Sequence, residues 1–327
     1  MSHPVRARVR RSAVIREEGG LSHLTFHALG TRCSVSLVEP SREAANGFLD
    51  ELLNWVADFE AKCSRFLEDS VVSRINRAAG VRWVEVDEEV SQLLDLCGHL
   101  HHLTRGAFDA TSLPLLRLWD WKAQPPRIPA ESEIARAKEL VGWGMLQRRE
   151  GAVFLPKSGM ALDLGGVGKE HAVDGAVLLA ERHGVTAVMV DFGQDIRALG
   201  RPPGRPAWHI GLEDPRQPGS CWASVGLCDR AVATSGDYLR HFVHEGRRYG
   251  HIIDPRDGKP VSQGALSVTA VAPTCTQAGA MTTAAFVLGP EEGFRLLSSQ
   301  FGVDGVMITE RGPHTTPRFY EYLVTTR

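Results

Sequence analysis

The chain has 327 residues, of which 43% are hydrophobic and 23% are charged, and its formal net charge is −2 at pH 7. This composition is typical of a globular protein with a sizeable core. The charge balance gives no reason to expect nucleic acid or an anionic membrane surface as a partner. No stretch approaches about 18 consecutive apolar residues, so we expect no transmembrane helix.

The first 22 residues are rich in arginine and lack an apolar run of the length that a secretory signal needs. We interpret residues 1–22 as a disordered basic tail and residues 23–327 as one folded domain. The six cysteines include no CxxC pair or other zinc-type spacing. Without a signal peptide they indicate reduced thiols in a cytoplasmic protein.

Helical periodicity dominates the first part of the domain. An extended segment is predicted over residues 23–38, followed by helices over 41–61, 88–104 and 131–141. The second helix carries His99, His101 and His102, for which a solvated helix face is favoured over a metal site.

Short strands alternate with turns from Ala152 onward. Further helices are predicted in this part over residues 168–184, 276–288 and 291–301. Helices first, then many strands with a few helices, indicate an α+β fold and not regular βαβ alternation. The predicted strands cover residues 152–155, 160–164, 187–192, 208–212, 231–235, 249–253 and 267–272.

A glycine-rich segment, LDLGGVGK at residues 162–169, lies between a predicted strand and a predicted helix. Glycines there let backbone N–H groups approach a ligand, and the helix N-terminus offers those donors to phosphate. Lys169 could add a positive charge to a pyrophosphate site. The segment matches neither a P-loop nor GxGxxG, and an ordinary strand-to-helix turn explains it equally well.

Four more segments place polar side chains in or beside predicted strands and helices. Residues 190–197 (VDFGQDIR) contain two acids in a turn, which a capping role also explains. Residues 233–238 (ATSGDY) and 250–255 (GHIIDP) suit acid–base chemistry or a structural turn network. Thr282 and Thr283 lie in an apolar predicted helix. Their hydroxyl groups either bond back to a carbonyl of the preceding turn or serve as metal ligands.

Taken together and in this order, these segments resemble the ApbE family of FAD:protein FMN transferases. The resemblance covers about residues 24–310. It implies a T-fold-like α+β single domain with mixed sheets and packed helices. It also implies binding of FAD and Mg²⁺, and transfer of FMN to a Thr or Ser hydroxyl of an acceptor flavoprotein with release of AMP. The matching segments are HALGT (27–31), SRFLEDSVVSRIN (64–76), GAFDAT (106–111), LDLGGVGK, DFGQDIRALG (191–200), AVATSGDY (231–238), HIIDPRDGKPV (251–261), SVTAVAPT (267–274) and TTAAFVLG (282–289).

The resemblance assigns roles to residues at matching positions. His251 corresponds to the catalytic base, and Asp237 is placed beside it in the catalytic group. The backbone carbonyl near Gly166 and the hydroxyl of Thr283 correspond to metal ligands. The residues implied to contact FAD are Leu29, Gly30, Phe66, Ala107, Phe108, Asp109, Asp163, Lys169, Ser235, Ile252 and Ile253.

The sequence departs from the family pattern at its metal motif. The pattern A-D-x-x-S-T-x-x-F corresponds to AGAMTTAAF, so Gly279 stands at the carboxylate position. A hard cation loses its charged protein ligand there. We expect Gly279→Asp to raise Mg²⁺-dependent activity if the site needs that carboxylate. The sequence offers Asp195, Asp237 and Asp254 as acids that could supply the missing carboxylate ligand, and it does not rank them.

Two milder departures lie near the expected phosphate site. The usual Gly-Gly-Asp of the central turn is Gly193-Gln194-Asp195, and the usual Lys-Gly-Tyr is Lys169-Glu170-His171. Glu170 adds a negative charge beside phosphate. The main hypothesis is an active FMN transferase. The alternatives are an FAD-binding protein without transferase activity and a Mg²⁺-dependent FAD pyrophosphatase.

Overall fold

The computed structural model describes residues 4–38, 42–262 and 264–324. Its helices are α1 (Pro4–Ser12), α2 (Arg42–Cys63), α3 (Val71–Arg77), α4 (Glu88–Leu103), α5 (Leu113–Leu118), α6 (Glu131–Lys138), α7 (Gly168–Arg182) and α8 (Cys275–Ser299). Its strands are β1 (Val14–Glu18), β2 (Leu21–Ala28), β3 (Thr31–Leu37), β4 (Val84–Glu85), β5 (Gln147–Arg149), β6 (Ala152–Phe154), β7 (Val188–Phe192), β8 (Asp195–Leu199), β9 (Trp208–Glu213), β10 (Cys221–Leu227), β11 (Arg230–Gly236), β12 (His241–His244), β13 (Arg247–Gly250), β14 (Ile253–Asp254), β15 (Lys259–Pro260), β16 (Ala265–Ala272), β17 (Asp304–Thr309) and β18 (Gly312–Thr315).

An antiparallel sheet organises the domain, with the strand order β1-β2-β3-β7-β8-β11-β16-β17-β18. Its register brings the end of β2, the end of β7 and the end of β11 to one edge. The β2–β3 turn, the β7–β8 turn and the excursion after Gly236 therefore lie along the same edge. This edge collects three motifs that are far apart in the sequence.

The two faces of the sheet are covered differently. Alternating residues of β11 and β16 belong to two separate clusters, because successive side chains of a strand point to opposite faces. Helices α7 and α8 pack on one face, and α2 packs on α7. The β9–β10 hairpin covers the other face through Trp208, Ile210 and Leu212. The α+β single-domain prediction is confirmed.

The predicted helices correspond closely to α2, α4, α6 and α7, which differ from them by no more than a few residues at each end. The two helices predicted near the C-terminus form α8, which is interrupted at Gly289, where φ is 79°, followed by Pro290. The strand predicted over residues 160–164 is wrong: only Ala161 makes an isolated bridge, to Ser112. No helix in the described part of the chain is long and apolar enough to cross a membrane.

The expectation of a disordered tail over residues 1–22 is wrong for residues 4–22. Val5 and Val9 lie one helical turn apart in α1 and are buried in the main core. Burying a valine side chain contributes about 1.5–3 kcal/mol, which favours an ordered helix. Residues 1–3 lie outside the described residues.

The arginines of α1 are matched by acids of α2. Arg6 pairs with Asp58, and Arg8 Nη2 lies 2.6 Å from Glu60 Oε2. Composition alone indicated a solvated basic segment, because the acids that neutralise it lie about 50 residues further along the chain.

Candidate functional site

The β2–β3 turn adopts a backbone conformation that is unusual for a leucine. Leu29 has φ 54° and Gly30 has φ 71°. A non-glycine residue with a positive φ of this kind costs about 1–2 kcal/mol, so another contact must stabilise the turn. The Leu29 N–H donates to Glu60 Oε2 at 2.9 Å, and this contact anchors the turn to α2.

The β7–β8 turn packs against the β2–β3 turn through a glycine. Gly193 has φ 68°, and a Cβ placed there would lie 2.6 Å from Thr31 Oγ1. Only glycine satisfies both the backbone conformation and the close approach. The segments HALGT and DFGQD, separated by about 160 residues, therefore adjoin.

Lys169, in the first turn of α7, contacts this same edge. Its ammonium group pairs with Asp195 and lies 3.8 Å from Glu170 Oε1. Burial opposes its charge, but the two carboxylates more than compensate and raise the pKa of Lys169 above its usual value. The lysine is therefore positively charged at the N-terminus of a helix, where phosphate binds favourably.

A second group of predicted residues surrounds the glycine-rich segment. Asp163 Oδ1 accepts from Gly165 N at 2.9 Å, and Arg65 Nε lies 3.0 Å from Asp163 Oδ2. The Arg65 guanidinium lies 4.1 Å from the ring centroid of Phe66. Phe66 is 79% exposed, so one aromatic face is open to a planar ligand.

Phe108 joins this group to α7, since a Cβ at Gly166 would lie 3.1 Å from the Phe108 ring. Ala107 and Phe108 are both buried. The two groups of predicted residues therefore meet at the segment 165–169, where α7 begins.

Asp109 is engaged by protein donors. Its Oδ1 accepts from Thr111 N at 2.7 Å and from Thr111 Oγ1 at 2.6 Å, and its Oδ2 accepts from Trp143 N at 3.0 Å. His101 Nδ1 lies 3.3 Å from Oδ2. The geometry gives Asp109 a structural part in shaping the loop, and its predicted contact with FAD stays a prediction.

Hydroxyl groups of β11 and α8 form a short chain. Ser235 Oγ donates to Thr282 Oγ1 at 3.0 Å, and Thr282 Oγ1 donates to the Gly279 carbonyl at 3.0 Å. Thr283 Oγ1 lies 3.1 Å from Ser235 Oγ. Thr282 is thus bonded back to the preceding turn, whereas half-buried Thr283 shares the Ser235 side of the helix.

His251 is held in one tautomer. Its Nδ1 lies 3.2 Å from the Arg240 carbonyl oxygen, which can only accept, so Nδ1 carries the proton and Nε2 the lone pair. Burial, and secondarily the charge of Arg240, lowers the pKa of His251 to about 4. The imidazole is therefore neutral near pH 7 and able to accept a proton at Nε2.

Asp237, the other predicted catalytic residue, forms an ion pair with Arg248. Arg248 Nη2 donates to its Oδ1 at 2.9 Å. Burial raises the pKa of Asp237 above its usual value, although Arg248 opposes this shift. A Cβ at Gly250 would lie 2.6 Å from Asp237 Cβ, so the glycine makes room for the acid.

The two predicted isoleucines differ in their surroundings. Ile253 is buried in a separate cluster with Leu115, Trp119 and Phe242, which leaves its side chain no access to a ligand. Ile252 is half-buried and packs against the main core. Of the pair, Ile252 is the one that a bound molecule could reach.

A depression of about 390 Å³ beside the β2–β3 turn is lined by Arg8, His27, Ala28, Gly30, Thr31 and Arg32. A larger one, of about 600 Å³, is lined by Trp55, Gly175, Leu178, Glu181 and Arg182. None of these five is a predicted site residue, so the larger depression has no part in the candidate site.

Comparison with known proteins identifies the family. The model of the ApbE family matches residues 29–307. This chain belongs to the ApbE family.

The FAD:protein FMN transferase of Treponema pallidum is 33% identical over 298 residues, which cover 86% of this chain and 82% of that protein. The solved ApbE protein of Thermotoga maritima is 32% identical and has a TM-score of 0.85, covering 93% of this chain and 100% of its own. The flavin transferase ApbE of Vibrio cholerae is 25% identical, with a TM-score of 0.83 and coverage of 95% and 100%.

Gly279, where the resemblance leads us to expect a carboxylate, lies beside an acid from another helix. A Cβ at Gly279 would lie 2.6 Å from Glu170 Cγ and 3.0 Å from Glu170 Oε1. Glu170 is 6% exposed, and burial raises its pKa to about 7, which Lys169 opposes and Asp195 reinforces. The acid beside Gly279 is thus Glu170, which the sequence suggested only as an additional charge near phosphate.

The three acids first named as substitutes are each engaged with a cation. Asp195 pairs with Lys169, Asp237 with Arg248, and Asp254 with Arg256. Within the described ranges, no group of three or more His, Cys, Asp or Glu side chains is arranged to hold a metal ion. The signal that sequence reasoning missed is a spatial one: Gly279 of α8 and Glu170 of α7, noted above as two separate departures, lie against each other.

Proposed function

We propose that this chain is an FAD:protein FMN transferase, which moves FMN from FAD to a Thr or Ser hydroxyl of an acceptor flavoprotein. The observation that carries the proposal is the contact of His251 Nδ1 with the Arg240 carbonyl oxygen, which leaves Nε2 free to accept a proton. Relatives named FAD:protein FMN transferase along most of the chain support the same activity.

The reaction exchanges the phosphoanhydride bond of FAD for a phosphoester bond to the acceptor. The acceptor hydroxyl oxygen attacks the phosphorus of the FMN half of the pyrophosphate, and a new P–O bond forms. His251 Nε2 takes the hydroxyl proton, the bond to the AMP half breaks, and AMP leaves with the bridging oxygen. Such transfer depends mainly on positioning and on neutralising charge, and the ammonium of Lys169 at the start of α7 supplies one such charge.

The predicted ligand contacts divide between the two groups of residues. The open face of Phe66 suits a planar ring, and Asp163 holds Arg65 beneath it. Leu29 and Gly30 present the strained turn, with Ser235 and Ile252 further along the same site. Ala107, Phe108 and Asp109 remain predicted contacts of FAD, which they would make through the loop whose shape they determine.

The oxygen groups of the chain fit Mg²⁺, which prefers hard oxygen ligands. The Thr283 hydroxyl, the backbone carbonyl at Gly166 and a carboxylate beside Gly279 would hold it. When bound, Mg²⁺ neutralises charge on the pyrophosphate. The observation that supports this fit is a buried carboxylate oxygen of Glu170 without a hydrogen-bond partner among the described residues.

A cytoplasmic location is part of the proposal. All six cysteines are free, and four of them are buried, as expected of a protein in a reducing compartment. Fractionation of the native cells tests this location.

One experiment tests the function. The purified chain is incubated with FAD, Mg²⁺ and an unmodified acceptor that carries a Thr flavinylation motif, and covalent flavin fluorescence is read in a denaturing gel. We expect labelling with release of AMP, and a loss of about 10²–10⁴-fold in rate for His251→Gln. The exposed His99→Gln is the matched control and should retain the wild-type rate.

Two results would contradict the proposal. Release of FMN and AMP without labelling would identify a pyrophosphatase. Tight binding of FAD with neither product would identify a flavin-binding protein without transferase activity.

A further inference from the structure

Glu170 is a buried acid with an unsatisfied oxygen. It lies in the first turn of α7, is 6% exposed, and its Oε2 has no hydrogen-bond partner among the described residues. The ammonium of Lys169 lies 3.8 Å from Oε1, beyond hydrogen-bond distance, and is already engaged by Asp195. A buried carboxylate oxygen without a partner is costly, so it indicates a partner of another kind.

The side chain of Glu170 fills the space that a side chain at position 279 would occupy. A Cβ at Gly279 would lie 2.6 Å from Glu170 Cγ and 3.1 Å from its carboxyl carbon. In the family pattern given above, these two positions carry glycine and aspartate in the opposite arrangement. The carboxylate is therefore retained in space, but it comes from α7 and not from α8.

Other oxygen donors lie on the same side of α8. Positions 279 and 283 are one helical turn apart, so they share a face of the helix. Thr283 Oγ1 on that face lies 3.1 Å from Ser235 Oγ. A carboxylate beside neutral hydroxyl and carbonyl oxygens is the kind of ligand set that hard divalent cations prefer.

We propose that Glu170 is the carboxylate ligand of a divalent cation of the Mg²⁺ class in this chain, replacing the acid that position 279 lacks. The assignment rests on the proposed function for the reaction that the cation serves, but its test measures cation binding directly. The single substitution Gly279→Asp is no longer expected to rebuild the site. Its Cβ would collide with Glu170.

Binding of Mn²⁺ alone to the full chain tests the proposal, with free Mn²⁺ measured by electron paramagnetic resonance. We expect Glu170→Gln, which keeps the shape of the side chain, to weaken Mn²⁺ binding by at least about tenfold. Glu181→Gln removes an exposed acid from the same helix and is the matched control, with unchanged affinity. The rise in melting temperature on adding Mg²⁺ should disappear in Glu170→Gln and persist in Glu181→Gln.

An exchange of the two residues provides a second test. Glu170→Gly should lose Mn²⁺ affinity, and the double variant Glu170→Gly/Gly279→Asp should regain most of it, because the carboxylate returns from the opposite helix. Gly279→Asp alone should lower the melting temperature through its clash with Glu170. Wild-type Mn²⁺ affinity in Glu170→Gln, or no recovery in a folded double variant, would overturn the assignment.

The outcomes separate this assignment from the proposed function. If the wild type binds Mn²⁺ through Glu170 but labels no acceptor, the function fails and the ligand assignment stands. If the wild type labels an acceptor and Glu170→Gln binds Mn²⁺ normally, the assignment fails and the function stands.

Discussion

Asp174 of α7 holds the N-terminus of α8, and its replacement by alanine should destabilise the domain. Its Oδ1 accepts from Cys275 N and from Arg197 Nη1, both at 2.8 Å. Its Oδ2 accepts from Thr276 N at 2.9 Å and from Thr276 Oγ1 at 2.7 Å. Asp174→Ala leaves two backbone N–H groups and a largely buried guanidinium without their acceptor.

Removing one partner of a buried charged network costs about 3–5 kcal/mol, and the loss of a helix cap alone about 1 kcal/mol. We therefore expect Asp174→Ala to lower the free energy of unfolding by about 3–5 kcal/mol, measured by denaturant unfolding. Asp174→Asn keeps one carbonyl acceptor and should cost less. Since α8 carries Gly279 and Thr283, the loss should also reduce cation binding.

The matched control is Asp95→Ala, which removes an aspartate from a surface pair with Arg148. The Asp95 side chain is 57% exposed, and exposed ion pairs contribute about 0–1 kcal/mol. If Asp174→Ala cost no more than Asp95→Ala, our account of how α7 holds α8 would be refuted.

Three further predictions concern the site. Burial lowers the pKa of His251 to about 4. The transfer rate should therefore stay level as the pH falls below 6.5, the usual histidine pKa, and should drop only near pH 4. A rate that halves near pH 6.5 would contradict this prediction. Between pH 6.5 and pH 4 the unfolded chain binds a proton at this histidine that the folded chain does not bind. The free energy of unfolding should therefore fall as the pH is lowered from 6.5 to 4. Gly193→Ala should lower the free energy of unfolding by about 2–3 kcal/mol in denaturant unfolding, because the residue has a positive φ and its new Cβ would clash with Thr31. Gly204→Ala is the control: it has a similar φ of 68° but nothing within 4 Å, so it measures the cost of the backbone conformation alone. Phe66→Ala should weaken FAD binding by about 1 kcal/mol in a fluorescence titration, with unfolding unchanged because the ring is exposed.

The α+β class and most helices could be predicted because their signals are local. The apolar spacing of α2 and α4 is visible within a short window of sequence. The sheet order could not be predicted, because β3 pairs with β7 across an insertion that contains α2 through α7. Pairing across so many residues leaves no pattern in either strand.

The roles of the predicted site residues stay predictions, but the structure shows which of the predicted segments lie together. The glycine-rich segments 162–169 and 191–195 were visible as motifs, and the structure brings them together at the start of α7 through the contact of Lys169 with Asp195. The burial of Ile253 and the internal bonds of Asp109 depend on tertiary packing, which no local motif encodes. Glu170 was missed for the same reason, because its relation to Gly279 exists only in three dimensions.

Glu60 of α2 is shared between two segments that are distant in sequence. Its Oε2 accepts from Leu29 N at 2.9 Å and lies 2.6 Å from Arg8 Nη2. A ligand that orders the Leu29 turn should therefore also slow amide hydrogen exchange in α1, and by reciprocity a mutation that loosens α1 should weaken that ligand. The first helix of the chain thus becomes a reporter of occupancy at the site, readable without any flavin signal.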